Sequence, residues 1–296
     1  MKIFAFIVTY NRLDLLKRVV GCLRLQTCPI DKIIVVNNSS TDGTELWLQK
    51  QSDLLVIKQA NLGGAGGFHT GVKYCFENGA DWIWMMDDDV FPNSDCLDQL
   101  MKYTSVSACI NINRYYSDGV IVKCPHWYYQ PTKLINPLYD ECTDSQYIKA
   151  PEGGCFEGML ISRDLVEKIG YPDVRFFVYG DDTVYGYKAC RYTQPIIVKN
   201  ASAVRAQKSD DDRLRPMSTY YATRNRRLIK AYVREGVGDI KVSSAFSYYI
   251  MNPLIRTIRL LLSGHPNKYK EIKAYYWGII DNVRKLSGPT HTLHEF

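Results

Sequence analysis

The sequence has no CxxC pair, only five histidines in 296 residues, and no apolar run long enough to cross a membrane. The missing CxxC pairs argue against a structural zinc site. The early apolar run from Ile3 to Val8 is too short for a span or a signal peptide, and no basic region precedes it, so it fits a strand. Without a secretion signal the expected location is cytoplasmic, and the nine cysteines are expected to be reduced thiols. There is no internal repeat and no low-complexity tract. What is present is 46% hydrophobic residues, enough to fill one large α/β domain or a domain with a helical appendage. The net charge of +6 suits an anionic substrate or an anionic membrane surface.

Periodicity supplies an order of elements. Ile3 to Thr9 reads as a strand, and Leu13, Leu16, Val20 and Leu23 recur at helical spacing. Lys32 to Val36 and Leu54 to Lys58 read as further strands, with a helix between them from Thr41 to about Gln51. A glycine-rich segment from Asn61 leads into a helix ending near Glu77, and Trp82-Ile83-Trp84-Met85-Met86 is a fourth, buried strand. This alternation predicts a mostly parallel, twisted sheet with flanking helices. Residues from about 105 to 150 lose the period and read as loops or short strands over a site. Strand and helix return at Met159 to Ser162 and Arg163 to Ile169, and from about residue 216 the chain reads as helical, basic and tyrosine-rich.

The acids Asp87-Asp88-Asp89 follow the fourth strand, at the sheet edge where ligands of open α/β sheets bind. Three adjacent carboxylates repel one another unless a cation or basic partner compensates them. Their hard oxygens suit Mg²⁺ or Mn²⁺ shared with a substrate's phosphates; a solvated acidic turn is the alternative. Thr9-Tyr10-Asn11-Arg12 and Asn37 to Thr44 place polar groups at two more strand ends. Asp42 is either a contact to a base or ribose or a helix cap. Gly63, Gly64, Gly66 and Gly67 do not form a Walker loop, since no Gly-Lys-Ser/Thr follows. They either admit a ligand to the backbone or allow tight packing. Asp181-Asp182 is a second acidic pair, able to raise one another's pKa and take a proton, or else to stabilise a helix start.

Val8 to Arg12, Asn37 to Thr44, Asn61 to Gly71 and Trp84 to Asp89, in this order, resemble an inverting family-two glycosyltransferase of the GT-A fold. The version here is most similar to bacterial galactofuranosyltransferases and related rhamnosyltransferases. The resemblance covers roughly residues 1 to 230. It implies that Thr9, Asn11, Arg12 and Asn38 line the nucleotide-sugar pocket, that Asp42 binds the base, and that Asn61 and the four glycines approach the donor. Asp87 and Asp89 would hold Mn²⁺ or Mg²⁺, and Asp88 would face the donor sugar or ribose. Asp182 would be the base, with Asp181 supporting it. Gly153 and Gly154 would lie in an acceptor loop, or in a plain turn. Relatives often carry a metal-binding His some twenty residues after the base. Asn200 to Lys208 has none, so Arg205 or Lys208 is the expected diphosphate contact. Tyr221 and Arg224 fall in a Tyr-Tyr-x-x-Arg-Asn stretch. There Arg224 and Arg227 would meet a diphosphate or an acceptor's lipid phosphate, or form a solvated face. Trp127 with Tyr128-Tyr129 would stack on acceptor sugars, or simply pack.

The expected layout is a catalytic domain over residues 1–215, with a nucleotide-sugar half to about 104 and an acceptor half from about 105, then a helical region over 216–296. Phe246, Ile250, Leu254, Ile258 and Leu261 form an apolar face that is either interfacial, with Lys268, Lys270 and Lys273 nearby, or packed on the core. The expected partners are a nucleotide-diphosphate sugar and an oligosaccharide or lipid-linked glycan, with peripheral membrane contact and no nucleic acid. UDP-galactofuranose is the first donor choice and dTDP-rhamnose the next. The rival classes are a nucleotidyltransferase and a catalytically silent nucleotide-sugar-binding module.

Overall fold

The computed structural model describes residues 1–122, 128–130, 133–135, 146–149, 154–206, 216–237, 251–264 and 266–294. Strands and helices alternate from the start: β1 (Ile3–Thr9), α1 (Leu13–Arg24), β2 (Lys32–Asn37), α2 (Thr44–Leu48), β3 (Leu54–Lys58), α3 (Gly63–Glu77) and β4 (Trp82–Asp87). The chain continues through β5 (Val90–Pro92), α4 (Cys96–Met101), β6 (Cys109–Tyr116), a small hairpin of β7 (Tyr128–Gln130) and β8 (Lys133–Ile135), and β9 (Tyr147–Lys149). Then come β10 (Met159–Ser162), α5 (Arg163–Ile169), α6 (Asp181–Ala189) and β11 (Ile196–Arg205). The described C-terminal elements are α7 (Pro216–Arg224), α8 (Arg226–Val237), α9 (Asn252–Leu262) and α10 (Lys268–Val283).

Nine strands make one sheet in the order β3-β2-β1-β4-β10-β6-β11-β5, with β9 also on β11. β10, β5 and β9 run against the other six, so the sheet is mostly parallel, as the alternation predicts. From β1 the chain steps outward to β2 and β3, then crosses back to β4 on the other side of β1. That reversal opens a crevice between the carboxyl ends of β1 and β4, where Val8 lies beside Asp87.

β1 is buried on both faces, which explains its unbroken apolar sequence. Ile3, Ala5 and Ile7 join Leu16, Val19, Val20 and Leu23 of α1 on one side. Phe4, Phe6 and Val8 meet Phe68, Val72 and Cys75 of α3 on the other. Burying each such large side chain stabilises the fold by about 1.5–3 kcal/mol. Two glycines set how close α3 comes. A Cβ on Gly67 would stand 2.3 Å from Val8 Cγ1, and one on Gly71 2.3 Å from the Phe6 ring.

Three expectations need correction. The glycines from Gly63 onward are the first turns of α3 rather than a loop before it, and the helix expected from Thr41 to about Gln51 is limited to Thr44–Leu48. Residues after 105 include β6, an eight-residue strand paired with both β10 and β11. Its polar Asn111 and Arg114 hid the strand, yet both are buried because each has a partner within the fold. In α9, Leu254, Ile258 and Leu261 are exposed, while Phe246 and Ile250 lie outside the described residues. Among the described residues no helix is long and apolar enough to cross a membrane.

Candidate active site

The crevice at the reversal holds the Asp triplet. Thr9 Oγ1, ending β1, donates to Asp88 Oδ2 at 2.7 Å, and Arg12 Nη1 donates to Asp88 Oδ1 at 3.0 Å and to Asp89 Oδ2 at 3.4 Å. Burial pushes the Asp88 carboxyl up to about 6, against the opposing pull of Arg12 and the Thr9 hydroxyl. Asp87 is pushed well above the usual carboxylate range, by burial and then by Asp89, Glu157 and Asp88. The backbone N–H of Ala206, just past β11, donates to Asp89 O and draws the end of β11 against the triplet.

Among the described residues, two polar atoms here are buried without a protein partner: Asp89 Oδ1 and Arg205 Nε. An orphan carboxylate oxygen beside an orphan guanidinium N–H is a donor set that a divalent cation and a phosphate oxygen would satisfy together. The fit to Mn²⁺ or Mg²⁺ rests on those hard oxygens. Among the described residues no group of three His, Cys, Asp or Glu forms a complete metal cage.

The nucleotide-side loops interlock. Asn11, at φ 53°, accepts from Thr41 N at 2.6 Å, and its own N–H donates to Ser40 Oγ at 2.9 Å. Asp42 accepts from Leu13 N at 2.9 Å and from Thr44 Oγ1 at 2.6 Å, which ties the starts of α1 and α2 together. Burial opposes its ionisation, but the bonds from Thr44 and Leu13 together prevail and lower its pKa. Asn38 Nδ2 donates to Gly63 O at 3.1 Å and its Oδ1 accepts from Gln59, so both ends hold protein. Asn61 Oδ1 accepts from Gly63 N at 3.0 Å. Of the four glycines expected to face the donor, only Gly64 borders open space. A Cβ on Gly63 would strike Phe177 O, one on Gly66 would strike Leu62 and one on Gly67 would strike Val8, so these three serve packing.

The second acidic pair opens α6. Asp181 is buried, and that burial, then the charge of Asp182, pushes it up to about 8. Asp182 is half-buried and accepts from Thr183 N at 2.7 Å. Its pKa is raised first by burial; the Thr183 N–H bond opposes this, Glu157 adds to it, and Arg114 counters it.

Glu157 links the two clusters, and sequence reading missed it. Arg205 Nη2 lies 3.0 Å from Glu157 Oε1, and Arg114 Nη1 donates to Glu157 Oε2. Glu157 thus acts electrostatically on both Asp87 and Asp182, while Arg205 faces Asp87 and Asp89. Two glycines pin its loop. A Cβ on Gly154 (φ +87°) would strike Asn111, and one on Gly158 (φ +95°) would strike Ile112. Gly154 therefore packs on β6 rather than lying open to an acceptor, and Gly153 and Trp127 fall outside the described residues. A buried Arg in a strand demands an acid, so Arg114 was the available signal.

Tyr221 and Arg224 do not face a phosphate. Tyr221 is buried, stacks on Phe177 at 5.1 Å and bonds His291 Nδ1 at 2.7 Å. Arg224 Nη2 donates to Arg175 O and Phe176 O, and Nη1 to Gly288 O and Thr290 Oγ1. Its neighbour Asn225 is fully buried, and its Nδ2 donates to Phe176 O (3.0 Å), Val178 O (2.8 Å) and Tyr179 O (2.8 Å). The loop it holds carries Phe177 at φ 64°, Tyr179 at φ 68° and Gly180 at φ 90°, immediately before Asp181. The Arg-Asn step therefore clamps the strained loop that presents the acidic pair.

Residues 4–170 match the family described as Glycosyl transferase family 2, and the chain belongs to it. Galactofuranosyltransferase GlfT1 of Mycobacterium tuberculosis is 30% identical over 195 residues, 61% of this chain and 62% of that protein. The chain thus matches about three-fifths of that relative's length. The dTDP-rhamnosyl transferase RfbF of Shigella flexneri is 23% identical over 97% of both chains. Among solved structures, the mannosyltransferase PcManGT of Pyrobaculum calidifontis, in complex with GDP-Man and Mn²⁺, overlays with a TM-score of 0.54 at 16% identity. It covers 95% of this chain and 84% of that one. The fold is that of the GT-A glycosyltransferases, and the two matched sequence relatives are named as galactofuranosyl and rhamnosyl transferases.

Proposed function

We propose that this enzyme transfers galactofuranose from UDP-galactofuranose to a hydroxyl of a growing bacterial surface polysaccharide or glycolipid, with inversion at the anomeric carbon. The observation that supports this reading is the approach of two carboxylate clusters, at the end of β4 and the start of α6, to one Arg114–Glu157–Arg205 network. In a single displacement the acceptor oxygen bonds to the anomeric carbon as the bond to the diphosphate breaks. Asp182 takes the acceptor's proton, a contribution of about 10²- to 10⁴-fold. Its raised pKa makes it a stronger base than a solvated carboxylate, and Asp181 keeps a second charge off it while protonated.

On the donor side Asp87 and Asp89 would hold Mn²⁺ or Mg²⁺, with Asp89 Oδ1 the orphan oxygen that fits this use. The bound ion would offset charge on the leaving diphosphate. Arg205, with its unpartnered Nε, and Arg12 are placed to bind diphosphate oxygens. Asp88, held by Thr9 and Arg12, orients those groups. Residues 1–215 form the catalytic unit in this proposal, working on the cytoplasmic face of the membrane, and 216–296 form a helical region that supports it.

Rhamnose transfer from dTDP-rhamnose is the second reading, favoured by the match to RfbF along nearly the whole chain. Calorimetric binding of UDP and dTDP, each with and without Mn²⁺, separates the two. Metal-dependent UDP binding is expected. A preference for dTDP would move the donor to rhamnose, and binding of neither by folded protein would refute the nucleotide-sugar reading.

A further inference from the structure

Residues 288–294, which follow α10, fold back against the loop that precedes Asp181. Gly288 N donates to Arg175 O at 2.9 Å, and Thr290 Oγ1 accepts from Arg224 Nη1 at 2.7 Å. His294 fixes the far end, stacking on Trp277 at 4.1 Å and pairing with the Asp281 carboxylate. Between these anchors His291 meets the loop itself. Its ring centre lies 5.3 Å from that of Phe177 and 5.7 Å from that of Tyr221, and the latter two rings stack at 5.1 Å, so the three form one cluster.

We propose that His291 is a positioning residue for sugar transfer: through Phe177 and Tyr221 it holds the loop over residues 177–180 in the conformation that presents Asp181 and Asp182, a role that rests on the glycosyl-transfer reading. Phe177 and Tyr179 sit at φ 64° and 68°, conformations that L side chains keep only when their surroundings hold them. Asn225 serves the carbonyls of residues 176, 178 and 179. Phe177 itself is held by other groups. Its carbonyl accepts from Ala65 N at 3.0 Å, at the start of α3, and its ring is held by His291 and Tyr221.

Hydrogen bonding fixes the form of the imidazole. The Tyr221 hydroxyl accepts from His291 N at 3.3 Å, so its own proton goes to His291 Nδ1 at 2.7 Å. That bond needs a neutral ring with its proton on Nε2. Burial, and then the Arg224 charge, push His291 below its ordinary range and favour that form. One side chain thus supplies an acceptor for the Tyr221 hydroxyl and an aromatic face for Phe177.

The test joins two measurements on the full chain: amide hydrogen exchange across residues 174–182, and kcat from steady-state release of nucleotide, with UDP calorimetry beside it. His291→Ala should quicken the exchange by about fivefold or more. It should lower kcat by about tenfold or more while UDP affinity stays near wild type. His291→Asn, whose Oδ1 can still accept from Tyr221, should recover part of both effects. Leu293→Ala, on the same segment but 64% exposed, should behave as wild type. Unchanged exchange in folded His291→Ala would overturn the proposal, and so would faster exchange with kcat intact. An equal effect from Leu293→Ala would overturn it too, because the segment as a whole, not His291, would then matter. A wild-type chain that turns over neither UDP-galactofuranose nor dTDP-rhamnose would refute the glycosyl-transfer reading, and the positioning role with it, whatever the exchange shows. Should His291→Ala fail to fold, Tyr221→Phe, which deletes only the hydroxyl, must still quicken exchange across 174–182; if it does not, the proposal fails.

Discussion

Replacing Asn225 with alanine should cost both stability and turnover, with a magnitude that can be worked from its bonds. Its amide nitrogen serves the buried Phe176 O and the part-buried Val178 O and Tyr179 O, and its Oδ1 accepts from Arg224 Nε at 2.9 Å and Nη2 at 2.6 Å. Each buried group left unsatisfied costs about 1–3 kcal/mol, and bonds to a charged partner are at the upper end. Allowing for relaxation, the loss should be about 3–5 kcal/mol. The loop would then be free to leave the left-handed conformations of Phe177 and Tyr179, which are held at a cost of about 1–3 kcal/mol each. A shift of Asp182 by about 1 Å lowers turnover by about 10²-fold. Urea unfolding measures the first effect; steady-state release of nucleotide, with UDP calorimetry, measures the second. UDP affinity should stay near wild type while kcat falls, because the proposed donor groups sit at the ends of β1, β4 and β11, outside this loop. Stability within about 1 kcal/mol of wild type, or full kcat in the destabilised variant, would refute the clamp.

Two further perturbations address the acids. Glu157→Gln removes a like charge that raises both Asp87 and Asp182, so deprotonation becomes easier and the acid limb of the pH–rate profile should move to lower pH. An unmoved limb would separate Glu157 from the base. Asp181, pushed to about 8 by burial and then by Asp182, holds a proton in the native state that the unfolded chain releases near pH 3.9. Its stabilising contribution is present below that unfolded value and is lost as pH rises through about 8. The stability of Asp181→Asn relative to wild type should therefore climb between about pH 5 and 8 in urea titrations, and a constant difference would contradict the shift.

The strand-helix alternation of the first hundred residues was legible because β1, β2 and β4 are buried and their apolar runs are continuous. The acidic clusters were legible because acids after an apolar strand, or before a helix, stand out locally. What stayed hidden depends on contacts between distant residues. Arg114 and Glu157 are 43 positions apart and become one feature only when β6 meets the loop before β10. Arg224 looked like a phosphate ligand because its spacing from Arg227 said nothing of the carbonyls of residues 175 and 176 that surround it. The glycines of α3 were read as ligand-facing because sequence does not say that Phe177, Leu62 and Val8 occupy the space beside them.

The most direct test is Asp182→Asn, assayed for sugar transfer and for UDP binding in parallel. Loss of transfer by about 10²-fold or more, with UDP binding retained, is the expected result. A nucleotidyltransferase or a silent binding module would have no use for a base at this position. Transfer that survives the substitution would contradict the assignment of Asp182 and the single-displacement mechanism built on it.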